Sequence, residues 1–287
     1  MRYLENTNQI KRLRSLSEKL ASPSDFTPLL NRIMYGVMLH AITSGNQLIY
    51  RGRFNERGRL FHSVNEVSYP KPEFVKQKGR LNDIGQSVLY AAESELGVII
   101  ELAAHINCVF TLSKIERRQE STLFFFPIGI SQFDRQQEKT VKADSIVVDY
   151  LRSEITKHVA HSDEYNATIA IGDMLLRKTV HNSPNQKYTG AIYPSVKSRI
   201  ASNTTTYNFA MEPHVFDENY RITESTVYIL TNEKTNYQIN PINKGDVQAT
   251  GEINWKFSFD EMKRRVSDGL WFDDYVNPSI TACAESL

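Results

Sequence analysis

The chain has 287 residues, of which 40% are hydrophobic, and its 34 Lys and Arg against 33 Asp and Glu leave a formal net charge of +1. That length suits one large domain or two small ones with a substantial core. The balanced charge excludes an overall field favouring nucleic acid or an anionic membrane, so any anion site must be local. Cys108 and Cys283 have neither metal-ligand spacing nor a disulfide framework, which points to a reducing compartment. Every apolar run is too short to span a bilayer, and the start, MRYLENTNQIKRLR, lacks the apolar stretch of a secretory signal, so the expected location is cytoplasmic. The histidines are scattered rather than paired at i and i+4, so no metal site is expected. Neither a Gly-rich phosphate loop nor a nucleophile elbow appears.

Residues 1–44 read as helical: Ile10, Leu13, Leu16 and Leu20 mark one amphipathic segment, residues 23–27 break it, and a second apolar helix is predicted from Leu29 to Ile42. Lys11, Arg12, Arg14 and Lys19 read as a solvated face, since no aromatic interleaving or recognition motif marks a nucleic-acid contact. Gly45 and Asn46 form a turn, and Leu48 to Arg53 a strand on which Arg51 and Arg53 project from one sheet face. The region from Phe54 to Lys78 is loop-rich.

The stretch from Gly79 to Ala104 organises the chain. It reads as a polar turn with Arg80, Asn82, Asp83 and Gly85, a short strand ending at Tyr90, and a helix capped by Ser94 with Glu95 in its first turn. Leu96, Ile99, Ile100 and Ala103 share the core face. Glu101 lies off that stripe, with Gly97 and His105, and Gly97 leaves open space one turn before the carboxylate. On spacing alone Glu101 is a solvated charge.

Further strands are expected at Val109 to Leu112 and Phe124 to Ile130, joined by a charged loop through Glu116, Arg117, Arg118 and Glu120. Phe124, Phe125 and Phe126 read as a strand buried on both faces. Helices are predicted from Ala143 to His158 and Asn166 to Thr179, then a polar loop from His181 to Tyr188. Ala191 to Tyr193 is a short strand ended by Pro194, with Ser195 exposed on the turn. Strands at Asn203 to Ala210 and Thr226 to Thr231, a strand or hairpin from Val247 to Phe259, and a last helix from Phe259 to Trp271 complete the chain.

Three separated motifs resemble the RES-domain family: Tyr50-Arg51 in a strand, the Gly79-Arg80-Leu81-Asn82 turn leading to Tyr90 and Glu101, and Gly190-Ala191-Ile192-Tyr193-Pro194-Ser195. The resemblance runs from about Leu48 to Leu230. It implies an α+β fold related to ADP-ribosyltransferases, with a split antiparallel core, surrounding helices and an NAD cleft between the sheet halves. The implied organisation is an N-terminal helical segment over 1–44, an NAD-cleaving domain over 45–232 and an extension over 233–287 packed on the core.

The resemblance also implies chemistry. NAD is the substrate, cut at the nicotinamide-ribose bond without a metal, and Glu101, Ser195 and Arg51 form the catalytic set. A carboxylate near the ribose stabilises the positive charge that cleavage develops there. Arg51 and Arg80 hold the diphosphate, since guanidinium matches phosphate oxygens in a bidentate way. Asn82 shapes that loop, Tyr90 stacks on nicotinamide, and Ser195 bonds the ribose or orients Glu101. Gly52 stands where some members carry a second aromatic.

Water as acceptor makes the chain an NAD glycohydrolase, inorganic phosphate as co-substrate an NAD phosphorylase, and a protein side chain a mono-ADP-ribosyltransferase. Depletion of NAD fits a growth-arresting toxin silenced by an antitoxin that obstructs the cleft. The reading of a different class is a catalytically silent scaffold binding protein or nucleic acid through its extra helices.

Overall fold

The computed structural model describes residues 2–35, 37, 41–44, 47–55, 59–102, 108–118, 122–130, 142–177, 188–201, 205–233 and 236–267. The expected turn at Gly45 and Asn46, the expected loop from His181 to Tyr188 up to Lys187, and the end of the last helix at Trp271 lie outside these residues, as do Ala103, His105, Glu120 and Cys283.

Helix α1 (Arg2–Glu18) buries Ile10 and Leu13 and leaves Lys11, Arg12 and Arg14 in water. The break after it falls at Leu20, whose φ of 51° reverses the chain, rather than at the expected residues 23–27. Helix α2 (Pro23–Met34) therefore starts earlier than Leu29. Ser22 and Asp25 form a capping box, and Pro23 takes the first helical turn, where a missing N–H costs nothing. The helix stops at Met34, short of the expected Ile42. Strand β1 (Ile42–Ser44) pairs with residues 123–125, so a tertiary ladder overrides the apolar spacing that suggested helix.

The remaining strands are β2 (Ile49–Phe54), β3 (Leu89–Ala92), β4 (Val109–Arg117), β5 (Leu123–Pro127), β6 (Tyr188–Pro194), β7 (Tyr207–Met211), β8 (Tyr220–Glu233), β9 (Asn236–Val247) and β10 (Ile253–Trp255). They form one sheet in the order β1-β5-β6-β7-β3-β2-β4-β8-β9-β10. The fold is α+β, and the sheet is mixed because β5 and β6 run parallel. Glu116 and Arg117 belong to β4 rather than to a loop, since both pair across to β8. On β5, Phe125 and Phe126 are buried in cores on opposite faces, as a strand covered on both sides requires.

Helices α3 (Val64–Val67), α4 (Glu95–Leu102), α5 (Lys142–Ile155), α6 (Asn166–Gly172), α7 (Val196–Ala201), α8 (Pro213–Asn219) and α9 (Phe259–Ser267) surround the sheet. Helix α6 runs on into a π-helical turn, Asp173–Arg177. Leu13, Phe26, Leu30, Tyr150, Leu151 and Ile171 bring α1, α2, α5 and α6 onto one face of β5, β6 and β7. Val98 and Ile99 of α4 pack with Phe110, Leu112 and Tyr228 on the other half of the sheet. Cys108 is buried in that cluster. Among the described residues no helix is long and apolar enough to cross a membrane.

The two halves meet at β2 and β3, where the registered pair is Tyr50 with Ala92. By contrast, β2 pairs with β4 along its whole length, and β3 with β7 likewise. Beyond Tyr50 and Ala92 the strands part, and that seam positions the site.

Candidate active site

Helix α4 begins as its residues dictate: Ser94 Oγ accepts from Gly97 N at 3.1 Å, satisfying an otherwise unpaired first-turn amide. The open space expected beside Gly97 is filled. A Cβ there would lie 3.0 Å from Ala92 Cβ and 3.4 Å from Thr206 Cβ, so Gly97 lets the helix sit directly on the sheet. Gly52 has the same task from the strand side, since a Cβ would come 2.4 Å from Val98 Cγ1 and 2.7 Å from Leu102 Cδ1. A second aromatic at that position would push α4 off the seam. Tyr50 supplies an aromatic from the neighbouring position of β2 and lines the resulting cleft.

That cleft holds about 370 Å³ and is bounded by Tyr50, Arg51, Arg80, Tyr90, Glu101 and Asn208 among others. Glu101 enters it half-buried from the last turn of α4. Its Oε1 accepts two hydrogen bonds, from Ser195 Oγ at 2.5 Å and from Asn208 Nδ2 at 2.7 Å. Its Oε2 has no hydrogen-bond partner among the described residues. Two neutral donors on one oxygen fix the carboxylate's plane and leave the second oxygen for whatever occupies the cleft.

Ser195 is fully buried, not exposed on its turn as expected. The hydroxyl both donates to Glu101 and accepts from Ser198 N at 3.0 Å, capping α7, while Ser195 N donates to Thr206 O. A turn serine with both functions satisfied needs no water. Of the two roles given to Ser195, orientation of Glu101 is the one this contact serves.

Arg51 fills the seam. Its Nε donates to Ser68 O at 2.7 Å and its Nη1 to Tyr90 O at 2.5 Å, so the guanidinium occupies the gap where β2 and β3 stop pairing. Burial, and next the charge of Arg53, lowers its pKa to about 10, still far above neutrality. Arg53 shares its face as the alternation predicts, and donates to Glu66 O. Arg80 Nη1 donates to Ile155 O at 2.6 Å and Lys157 O at 3.2 Å, capping the end of α5, and its guanidinium lies 5.5 Å from the Tyr165 ring centroid.

Tyr90 spans the wall of the cleft. Its hydroxyl accepts from Leu81 N at 2.9 Å and donates to Asn82 Oδ1 at 2.8 Å. Burial raises its pKa, so the phenol stays protonated at neutral pH. Asn82 is buried behind Tyr90 and does not line the cleft; it holds the ring's hydroxyl rather than facing a ligand there.

Asn208, Tyr193, Tyr165, His158 and Lys197 also line the cleft, and the sequence reading did not select them. Asn208 had a signal: it is the one polar residue in the run Tyr207-Asn208-Phe209-Ala210-Met211, on a strand that is otherwise core. A lone amide at a buried position calls for a partner. Lys197 Nζ donates to Glu101 O at 2.6 Å, closing the end of α4. Burial pushes the Tyr193 hydroxyl well above its ordinary pKa.

The parted sheet of this α+β fold thus carries a cleft with an oriented carboxylate, two arginines and aromatic walls. The RES domain family matches residues 32–228, more than half of the chain, and the chain belongs to that family. No curated protein and no solved structure matches it.

Proposed function

We propose that the chain cleaves the nicotinamide-ribose bond of NAD. The carrying observation is Glu101, with one oxygen tied to Ser195 and Asn208 and the other left in the cleft at the sheet seam. We read the parted sheet as an ADP-ribosyltransferase-like arrangement, with residues 45–232 as the cleaving unit. In the reaction the bond between ribose C1′ and the pyridinium nitrogen breaks, and its electron pair leaves with neutral nicotinamide. The ribose becomes oxocarbenium-like, and the nearby carboxylate stabilises that charge where it develops. An acceptor oxygen then bonds to C1′ and gives up its proton.

Tyr90 and Tyr50 offer aromatic faces to the nicotinamide, and Arg51 and Arg80 supply the positive charge for the diphosphate. Lys197 and His158 in the same wall suit an anionic acceptor, so inorganic phosphate stands beside water as co-substrate. Unrestrained turnover depletes NAD and arrests growth, and a protein lodged in the cleft would stop it. Transfer to a protein side chain uses the same cleavage step.

Nicotinamide release from NAD, followed with and without phosphate, tests the reading. Glu101→Gln keeps the shape and removes the charge, and one such electrostatic group is typically worth about a hundredfold or more in rate. Release by the wild type, lowered about a hundredfold in Glu101→Gln, is expected. Near-wild-type release by the variant overturns the assignment of Glu101, and no release by the wild type leaves the scaffold reading standing.

A further inference from the structure

The turn from Gly79 to Gln86 is held in place from outside the cleft. Helix α6 ends at Gly172 and continues as the π-helical turn Asp173–Arg177, a rare geometry often found at functional sites. Both parts meet one carbonyl. A Cβ on Gly172 would lie 2.6 Å from Leu81 O, so glycine lets the helix rest on that backbone. Beyond it, Arg177 donates to the same oxygen from Nη1 at 3.3 Å and from Nη2 at 3.2 Å.

Arg177 is itself fixed. Its side chain is 19% exposed, its Nη1 also donates to Asp173 Oδ1 at 2.8 Å, and its Nε lies 3.7 Å from Glu212 Oε1. Asp173 Oδ1 in turn accepts from Gln86 Nε2 at 3.2 Å, and Gln86 Oε1 accepts from Asp83 N at 2.8 Å. The π-helical turn therefore grips the polar turn at two points, Leu81 and Gln86.

Leu81 is the link to the cleft. Its N–H donates to the Tyr90 hydroxyl, and its carbonyl accepts from Arg177. Its neighbours are Arg80, which lines the cleft, and Asn82, which accepts from the Tyr90 hydroxyl. With both backbone groups engaged and the side chain fully buried, Leu81 has one place to sit. Burial raises the Tyr90 pKa, and the two largest influences opposing it are the Leu81 amide and the Arg177 charge.

We propose that Arg177 is a positioning residue for the cleavage reaction, acting through Leu81 to hold Tyr90 and Arg80 against the substrate. Asp173 keeps Arg177 on the carbonyl. Arg177 does not line the cleft and belongs to none of the three motifs. The assignment rests on the NAD reading and deepens it: the aromatic face for nicotinamide and one diphosphate charge are set from the helical layer and not by the seam alone.

Steady-state nicotinamide release and hydrogen exchange at the Leu81 amide test it together in Arg177→Met, Arg177→Lys and Asp173→Asn. Tyr90 and Arg80 hold NAD in the ground state as well as in the transition state, so Arg177→Met is expected to raise KM about tenfold and to leave kcat within about twofold. Arg177→Lys should fall between, because an ammonium keeps the charge and lacks the fork. Asp173→Asn should raise KM about threefold, since a neutral acceptor holds the guanidinium less firmly, and it decides the matter if Arg177→Met does not fold. The Leu81 amide should exchange about tenfold faster in Arg177→Met while core amides of β4 keep their protection. A loss of kcat at unchanged KM is the mark of simple destabilisation. That result, wild-type kinetics, or a KM rise with unchanged Leu81 exchange overturns the proposal. If the wild type releases no nicotinamide, the NAD reading falls by itself. Faster exchange confined to Leu81 and its turn then upholds Arg177 as the holder of the cleft wall, and unchanged exchange overturns that as well.

Discussion

Two junctions in one sheet behave oppositely. Strands β3 and β7 pair residue for residue from Leu89 with Met211 to Ala92 with Asn208, while β3 and β2 pair at Tyr50 with Ala92 and then part. A full ladder satisfies every backbone group and leaves no space for a ligand. The parted junction leaves Tyr90 O to be satisfied by a side chain, and Arg51 supplies it. The difference teaches that this site is an interrupted ladder. The arginine that closes the backbone accounts and the charge that would face a phosphate are one and the same group.

That double duty yields the largest expected stability effect. Arg51→Ala removes charge-assisted bonds to Ser68 O and Tyr90 O, each typically worth about 1.5–3 kcal/mol, and leaves both carbonyls short of a partner. Urea unfolding is expected to show a loss of about 3 kcal/mol, and calorimetry a weaker NAD affinity in whatever folds. Arg51→Lys should recover only part of the stability, because one ammonium lacks the planar fork that reaches two carbonyls at once. Wild-type stability in Arg51→Ala would show that the seam holds without its plug and would break the comparison at its centre.

Asn208 sharpens the contrast from the fully paired side. It sits at the last registered pair of β3 with β7 and directs its amide to Glu101 Oε1. Asn208→Ala is expected to lower kcat for nicotinamide release about tenfold, with a smaller change in KM, because it loosens the orientation of Glu101 and removes no binding charge. Asn208→Asp is the more telling variant. A second carboxylate at 2.7 Å from Glu101 would raise the pKa of the pair and move the acid limb of the rate profile to higher pH. A profile unmoved by Asn208→Asp would show that Asn208 and Glu101 are not coupled in the working enzyme.

The sequence made much of this arrangement legible through residues whose local preferences agree with the fold. Ser94 caps α4 as expected, Phe125 and Phe126 are buried on opposite faces, and Arg51 and Arg53 share a face. What stayed hidden depends on other segments. Ile42–Ser44 is a strand only because β5 lies beside it, and Ser195 is buried only because Glu101 and Ser198 meet its hydroxyl. The space expected at Gly97 is taken by Ala92 and Thr206. Glu101 itself looks like a surface charge on its helix. Its partners, Ser195 and Asn208, are distant in sequence and meet it only where β6, β7 and α4 converge.

The smallest expected effect comes from the helical layer and contrasts a carboxylate held by hydrogen bonds with one that accepts none from the described residues. Glu154 on α5 is buried at 8% exposure, yet no hydrogen bond to its carboxylate is found among the described residues. Burial raises its pKa above the ordinary glutamate value, and the charges of Lys157 and Arg14 offset this only in part. A raised folded-state pKa means the native chain holds this proton more tightly than the unfolded chain does. The contribution of Glu154 is therefore most favourable below the unfolded value, about pH 4, and is lost as pH rises through the folded value. Glu154→Gln removes the ionisation. Its urea midpoint should exceed that of the wild type at neutral pH, and the gain should shrink toward pH 4, where the native glutamate is already neutral. A gain that is constant across that range, or a loss at neutral pH, would show that Glu154 is paired after all. The helical layer would then satisfy its carboxylate as fully as the seam satisfies Glu101.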